Sequence, residues 1–357
     1  MSAPAKRFER KFRAGVLGAT GMVGQRFVHM LANHPWFELA DLAASERSSG
    51  KRYADVVKWH LDSPVPEVAR DLVVKDLAPN LDCDFVFSAL DSGVAGPAEE
   101  EFARAGYPVL SNSRNHRMDE DVPLLIPEVN AGHLDAIPVQ QKNRAYDAGF
   151  IVTNPNCSTA GLVLVLKPLA DAFGLEKIFV VTMQAVSGAG YPGVASLDAT
   201  DNLIPFIGGE EEKIEAETLK LLGRFESDSI QDAAITVSAQ CNRVNVSEGH
   251  TASIRVKLTQ PASLDEMRAT LASFAAEPQS LKLHSAPENP VIVRREPDRP
   301  QPRLDRNAGN GMSVTVGRIM PDKVFDYRFV ALGHNTIRGA AGAAILNAEL
   351  LVALGKL

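Results

Sequence analysis

The segment Thr153-Asn154-Pro155-Asn156-Cys157-Ser158-Thr159-Ala160-Gly161 carries a thiol to the point where a strand gives way to an apolar helix. Pro155 cannot continue a strand, so Cys157 falls at or beside the N-terminus of a helix beginning near Ser158. Unpaired N–H groups and the positive end of the helix dipole favour thiolate there, and thiolate is the nucleophilic form. The other two cysteines, Cys83 in Asp82–Phe87 and Cys241 inside a strand, read as small buried hydrophobes. Cys157 could be one as well, but polar residues flank it in a turn. No CxxC spacing and no paired His or Cys set supplies metal ligands, so no metal is expected.

A second chemical signal lies near the start. Gly18-Ala19-Thr20-Gly21-Met22-Val23-Gly24 follows a strand candidate directly and opens a helix. Glycines at 18, 21 and 24 let the backbone turn tightly and approach a pyrophosphate seated on the helix N–H groups. The spacing departs from GxGxxG, and an ordinary tight turn is the alternative. At the end of the next strand, Ser45, Arg47 and Ser48 suit a ribose 2′-phosphate, which favours NADP, whereas Glu46 and Asp41 point the other way.

A thiolate beside a nicotinamide suggests one reaction. The sulfur attacks an aldehyde to give a thiohemiacetal, hydride leaves for the cofactor, and a thioester remains. A histidine suits the proton transfer. Eight are present, at 29, 34, 60, 116, 133, 250, 284 and 334, and composition does not choose among them.

These groups need elements to hold them. Strand candidates Ala14–Leu17, Glu38–Ala43, Leu72–Val74, Phe85–Ala89, Val109–Ser111 and Phe150–Thr153 alternate with stretches of helical period such as Val23–Ala32 and Ala98–Ala105. That alternation predicts a parallel, doubly wound sheet. Ile178–Val186, Ile235–Cys241, Ala252–Leu258, Ser313–Ile319 and Phe325–Leu332 are longer and closer to apolar/polar alternation, which predicts a half-buried, mostly antiparallel sheet. Helices near Glu211–Leu222 and Leu264–Phe274, the second capped by Ser263, would cover its apolar side. Asn289–Asn310 reads as a surface loop, and Asn335–Leu354 as a long helix capped by Asn335 and able to pack back on the first domain. The expected fold is α/β: a Rossmann-type domain, residues 1–155 completed by 335–357, and an α+β domain over 156–334 with the active site between them.

Hydrophobic residues at 45% and charged residues at 23% are the composition of a chain with a sizeable core. A net charge of -7 and the lack of a basic stripe argue against nucleic acid and for a small-molecule partner. The polar, basic Met1–Arg13 segment and the short apolar runs predict a cytoplasmic protein with no membrane span.

The ordered set Gly18–Gly24, Asn154–Thr159, Gln184-Ala-Val-Ser-Gly-Ala189, and Arg243 with Glu248-Gly-His250 resembles the aspartate-semialdehyde dehydrogenase family, in its fungal and archaeal form. The match runs in order over nearly the whole chain. The resemblance implies NADP- and phosphate-dependent oxidation of L-aspartate 4-semialdehyde to L-4-aspartyl phosphate, run reductively in lysine, threonine, methionine and isoleucine biosynthesis. It makes Cys157 the nucleophile and His250 the acid/base. Arg243, Gln184 and Glu210 fall to the substrate, and Arg117 and Lys213 to phosphate, with Arg114 and Asn115 able to share that role. Gly18, Thr20, Gly21, Met22, Val23, Gly24, Ser45, Arg47, Ser48, Ser88, Ser187, Gly188 and Asn335 fall to the cofactor. The resemblance also implies a catalytic and dimerisation domain and a homodimer or homotetramer. Rival readings are another thioester-forming reductase, such as malonyl-CoA reductase, and a non-catalytic NADP-binding redox sensor.

Overall fold

The computed structural model describes residues 10–357; residues 1–9, which open both the polar N-terminal segment and the first expected domain, lie outside the described residues. β1 (Phe12–Leu17), β2 (Phe37–Ala43), β3 (Val74–Lys75), β4 (Phe85–Ser88), β5 (Pro108–Ser111) and β6 (Phe150–Thr153) form one sheet in the order β3-β2-β1-β4-β5-β6. All of its pairings are parallel, and β4 and β6 are buried at every position, as a sheet covered on both faces requires. The order reverses between β1 and β4, which opens a crevice beyond their carboxyl ends.

β7 (Leu175–Gln184), β8 (Leu203–Ile204), β11 (Thr236–Val244), β12 (His250–Leu258), β13 (Val291–Val293), β14 (Val314–Pro321) and β15 (Tyr327–Gly333) form a second sheet in the order β13-β14-β15-β12-β7-β11-β8. β9 (Arg224–Glu226) and β10 (Ser229–Gln231) make a separate hairpin. The second sheet is mostly antiparallel, as expected, with β7–β11 and β13–β14 as its parallel pairs. Alternation along a strand reports which face is wet. It does not report the direction of the neighbour.

The helix Cys157–Phe173 packs its Leu162, Val165, Leu166 and Leu169 against Val180, Ile254, Val256 and Val316 of the second sheet. Ser263 caps Leu264–Ala272 in a capping box with Glu266, as its position predicts. The helix Ser92–Arg104 is longer than its apolar period suggested and runs through Pro97, and the helical stretch from Pro127 to Arg144 gave no clear period.

Two expectations need correction. Asn289–Asn310 is not all loop: Val291–Val293 joins the sheet edge beside β14, and Asp305 is buried under Arg299 and Arg294. A segment rich in Pro and Arg hides such pairing because its apolar run is only three residues long. The last helix does not start at Asn335 either. A π-helical turn, Ile337–Ala341, precedes Gly342–Ala353, and Asn335 does not cap it. A Cβ at Gly339 would lie 2.7 Å from Cys157 Cβ, so the wide turn presses bare backbone against the cysteine. The helix that follows is buried almost all round, with Ile345, Leu346, Leu350 and Leu351 in one core with Val16, Phe27, Phe87 and Leu110 of the first sheet.

Arg338, in that π turn, is 1% exposed; it donates to both Glu128 carboxylate oxygens at 2.6 and 3.1 Å and to Met312 O at 2.6 Å. Removing one partner of such a pair leaves an uncompensated buried charge. Arg338→Met should therefore cost about 3–5 kcal/mol of unfolding free energy, and Arg338→Met with Glu128→Gln should recover a large part of it. Denaturant midpoints of the three proteins check this; a single-variant loss under about 1 kcal/mol would mean the pair behaves as a surface ion pair.

Candidate active site

β7 lies between β12 and β11, and that placement gathers three polar side chains at one end of the sheet. Gln184 ends β7, Arg243 stands beside it in register on β11, and His250 begins β12. The helix carrying Cys157 crosses this end. His250 Nε2 lies 3.2 Å from Cys157 Sγ, although the two are 93 positions apart.

Asn156 is the N-cap of the cysteine helix, and its Oδ1 accepts from Ser158 N at 2.9 Å and Thr159 N at 3.3 Å. Its Nδ2 donates to Glu210 Oε1 at 2.8 Å, and its backbone N donates to Glu217. Glu210 also accepts from Gln184 Nε2 at 3.0 Å and Lys213 Nζ at 3.1 Å. Glu210 and Lys213, three positions apart, share one helix face. Burial pushes the Glu210 carboxyl up, but the Lys213 charge and the bonds from Asn156 and Gln184 outweigh it and leave the group below its ordinary value.

The helix start does not by itself ionise the thiol. Burial pushes Cys157 up to about 12, with the Glu210 charge adding; Arg117, Arg243 and the Ser158 N–H oppose this without reversing it. The expectation of a ready thiolate therefore needs correction: burial outweighs the helix-start N–H groups, which Asn156 Oδ1 also engages. Burial, then the Arg243 charge, push His250 down to about 3, so the imidazole is neutral near neutral pH. Ala185 N donates to His250 Nδ1 at 3.0 Å. In a neutral ring the proton then sits on Nε2, the nitrogen facing the sulfur.

Arg243 is buried and donates through Nη1 to Ala185 O at 2.7 Å. A Cβ at Gly188 would lie 2.8 Å from that Nη1 and 3.0 Å from His250 Nε2, so the loop after β7 closes directly on both. Asn335 Oδ1 accepts from Gly249 N at 2.9 Å and its Nδ2 donates to Ser187 Oγ at 2.9 Å, tying this loop to the His250 turn. The two arginines separate clearly. Arg117 is buried, donates to Glu217 at 2.9 Å and Asn112 O at 2.7 Å, and its charge is felt at Cys157. Arg114 and Asn115 are exposed, and Asn115 donates to Ser92 O at 3.0 Å. Lys220 Nζ donates to the carbonyls of Arg117, Asp119 and Val122, which fixes the Arg117 segment; no sequence motif marked it.

The crevice between β1 and β4 widens into a cleft of about 580 Å³ lined by Gly18, Thr20, Gly21, Met22, Val23 and Ser45. The residues fit a dinucleotide. A Cβ at Gly24 would meet Gly18 O at 2.2 Å, so the turn closes only on glycine, and it leaves the first N–H groups of the helix Met22–Leu31 unpaired toward the cleft. Arg47 and Ser48 sit on the turn beyond Ser45 rather than in the lining. Asp41 is not placed for a ribose, because Lys75 Nζ at 2.8 Å and Asp82 N occupy its carboxylate. Ser88 is fully buried, and its hydroxyl donates to Glu99 at 2.6 Å rather than into the cleft. Lys58, His60 and Tyr191 line the cleft and were missed, since none lies in a recognisable motif.

A doubly wound nucleotide-binding sheet joined to a mixed-sheet domain that presents a cysteine–histidine pair defines a nicotinamide-dependent oxidoreductase. Residues 13–137 match the semialdehyde dehydrogenase NAD binding domain family, and residues 166–338 the semialdehyde dehydrogenase dimerisation domain family. Aspartate-semialdehyde dehydrogenase of Archaeoglobus fulgidus is 56% identical over 96% of this chain and 98% of its own, and that of Schizosaccharomyces pombe 51% identical over 96% and 98%. The crystal structure of the Candida albicans enzyme with NADP superposes with a TM-score of 0.90 at 44% identity, covering 98% of this chain and 100% of that one. The chain belongs to the aspartate-semialdehyde dehydrogenase family.

The electrostatics of the thiol can be tested directly. Because Cys157 is raised, thiolate grows as pH rises, and alkylation by iodoacetamide should accelerate about tenfold per pH unit across the neutral range. Glu210→Gln removes the anion that adds to the shift, so its alkylation at a fixed neutral pH should be faster than wild type. Mass spectrometry of the Cys157 peptide against time reads both, and a slower Glu210→Gln reaction would contradict the assigned sign.

Proposed function

We propose that this enzyme interconverts L-aspartate 4-semialdehyde, phosphate and NADP⁺ with L-4-aspartyl phosphate and NADPH through a thioester on Cys157, working reductively in the biosynthesis of lysine, threonine, methionine and isoleucine. The observation that carries the reading is the 3.2 Å contact between Cys157 Sγ and His250 Nε2 with Arg243 nearby, packed against Gly188 of the loop whose Ala189 and Gly190 line the dinucleotide cleft. The family and the NADP held in the Candida albicans crystal structure support the cofactor. Residues 1–155 with 335–357 are the cofactor domain, and 156–334 the catalytic domain, which the dimerisation family match favours as the surface of a homodimer or homotetramer. No helix among the described residues is long and apolar enough to cross a membrane, and a cytoplasmic site is proposed.

Arg243 holds the substrate carboxylate with the part of its guanidinium that Ala185 O leaves free, and a planar fork suits that partner. Glu210 attracts the substrate amino group, and Gln184 orients the carbonyl end. Cys157 attacks C4 as thiolate, its proton passing to water as substrate binds because His250 Nε2 already carries one, and the C4=O double bond opens to an alkoxide. His250, neutral with its proton on Nε2, first donates to sulfur and then to the oxygen of the tetrahedral adduct. The Asn156 amide donates to Glu210 instead of to that oxygen. A bound NADP⁺ would supply the hydride acceptor for C4, and the acyl group would remain on Cys157 as a thioester. Phosphate, held by Lys213 and Arg117 with Arg114 at the exposed edge, attacks the thioester and expels Cys157 as thiolate.

A steady-state assay of aldehyde oxidation with and without phosphate, with mass spectrometry of the trapped protein, tests the reading. NADPH should form continuously only with phosphate, and an acyl adduct should map to Cys157. Cys157→Ala should lose nearly all activity; a variant keeping most of it, or an adduct on another side chain, would end the proposal. The histidine role has its own test. A glutamine amide can donate from nearly the position of Nε2 but cannot take up a proton at neutral pH. His250→Ala should lose about a hundredfold to a thousandfold in kcat, and His250→Gln markedly less if donation carries the effect. Equal losses would assign His250 to proton uptake instead.

A further inference from the structure

A cross-domain contact closes the outer edge of the cofactor cleft. Tyr191, on the loop after β7, is 56% exposed, yet its ring stacks on His60 with centroids 3.9 Å apart and planes 28° apart. Lys58 Nζ donates to the Tyr191 hydroxyl at 2.7 Å and lies 4.9 Å from the ring centroid. All three side chains line the cleft, and Lys58 is the one Lys or Arg among the described residues in that lining. A compact ammonium at the mouth of a pyrophosphate site has an obvious anionic partner.

The Lys58–His60 segment is built onto the glycine turn by one buried side chain. Gln25, fully buried in the first helix, donates through Nε2 to Thr20 O and to Lys58 O, both at 2.9 Å, and accepts through Oε1 from His60 N at 2.8 Å. Its amide has no other task, so the segment is held rigidly on the cofactor side. Tyr191 is the side that can move, because Gly190 and Gly193 flank it at φ values of 70° and 81°, and no helix or sheet ladder carries it.

We propose that Tyr191, Lys58 and His60 form a clasp over the cofactor cleft that sets the rate of dinucleotide release, with Gln25 as the residue that positions it. Stacking on His60 holds the loop closed. Lys58 exchanges between the Tyr191 hydroxyl and a cofactor phosphate. The inference rests on the NADP reading above and adds residues that neither the motifs nor the family resemblance assigned.

Stopped-flow fluorescence of NADPH release from the full-length protein tests it. Tyr191→Ala should raise the release rate about tenfold, most of the affinity change lying in dissociation. Tyr191→Phe should raise it less, because the stack survives. Lys58→Met should raise it and flatten its dependence on salt. Gln25→Leu should raise it as well, and adding it to Tyr191→Ala should contribute little, because both open the same clasp. Iodoacetamide alkylation of Cys157 should be unchanged in the Tyr191 and Lys58 variants, which shows that the fold and the thiol site survive. Wild-type release rates in folded Tyr191→Ala and Lys58→Met would overturn the clasp while leaving NADP as cofactor; a wild-type protein that binds no NADPH would overturn both.

Discussion

Two carboxylates on one helix, Glu210 and Glu217, hold the residue in front of the sulfur, and the geometry of the site follows from that grip. Glu217 accepts the backbone N–H of Asn156 and pairs with Arg117; Glu210 accepts the Asn156 amide, Gln184 and Lys213. Both are buried, and a buried carboxylate without donors is costly, so every donor around them is constrained in turn. Asn156 is thereby fixed from both ends, and its Oδ1 sets where the helix of Cys157 begins.

The other side of the cysteine is set by chain that lies far away in sequence. Gly339 brings bare backbone against Cys157, and the π turn that makes this approach possible is anchored by Arg338 on Glu128. Asn335 then links the Ser187 loop to the turn before His250. A long C-terminal helix buried in the first sheet thus closes the second domain's reactive centre. Such a centre tolerates little play, since the reacting groups come from elements with no local contact.

Burial and charge give this centre a resting state and a way out of it. A thiol raised by burial beside an imidazole lowered by burial is a neutral pair, which costs little to enclose. Arg117 and Arg243 already pull the thiol toward ionisation, and a bound ammonium that neutralises Glu210 would remove the anion opposing them. The Ala185 N–H completes the arrangement by leaving the Nε2 proton pointed at the sulfur.

Much of this was legible in the residues. The glycine turn after β1, the cysteine at a strand-to-helix junction and the Ser263 capping box depend on local backbone preferences, and a local pattern reports those faithfully. The parallel first sheet was also legible, because strands buried on both faces are apolar throughout. The direction of β7 against β11, the short edge strand β13 and the π turn at Ile337–Ala341 were not, since each answers to a neighbour distant in sequence. The same division runs through the site. The chain's order marked one thiol in a polar turn, and the family resemblance, not the spacing, singled out Arg243 and His250. Only tertiary packing decided the protonation of that thiol, the engagement of Ser88 by Glu99, and the separation of Arg117 from Arg114, because burial and charge are properties of the enclosure and no single segment carries them.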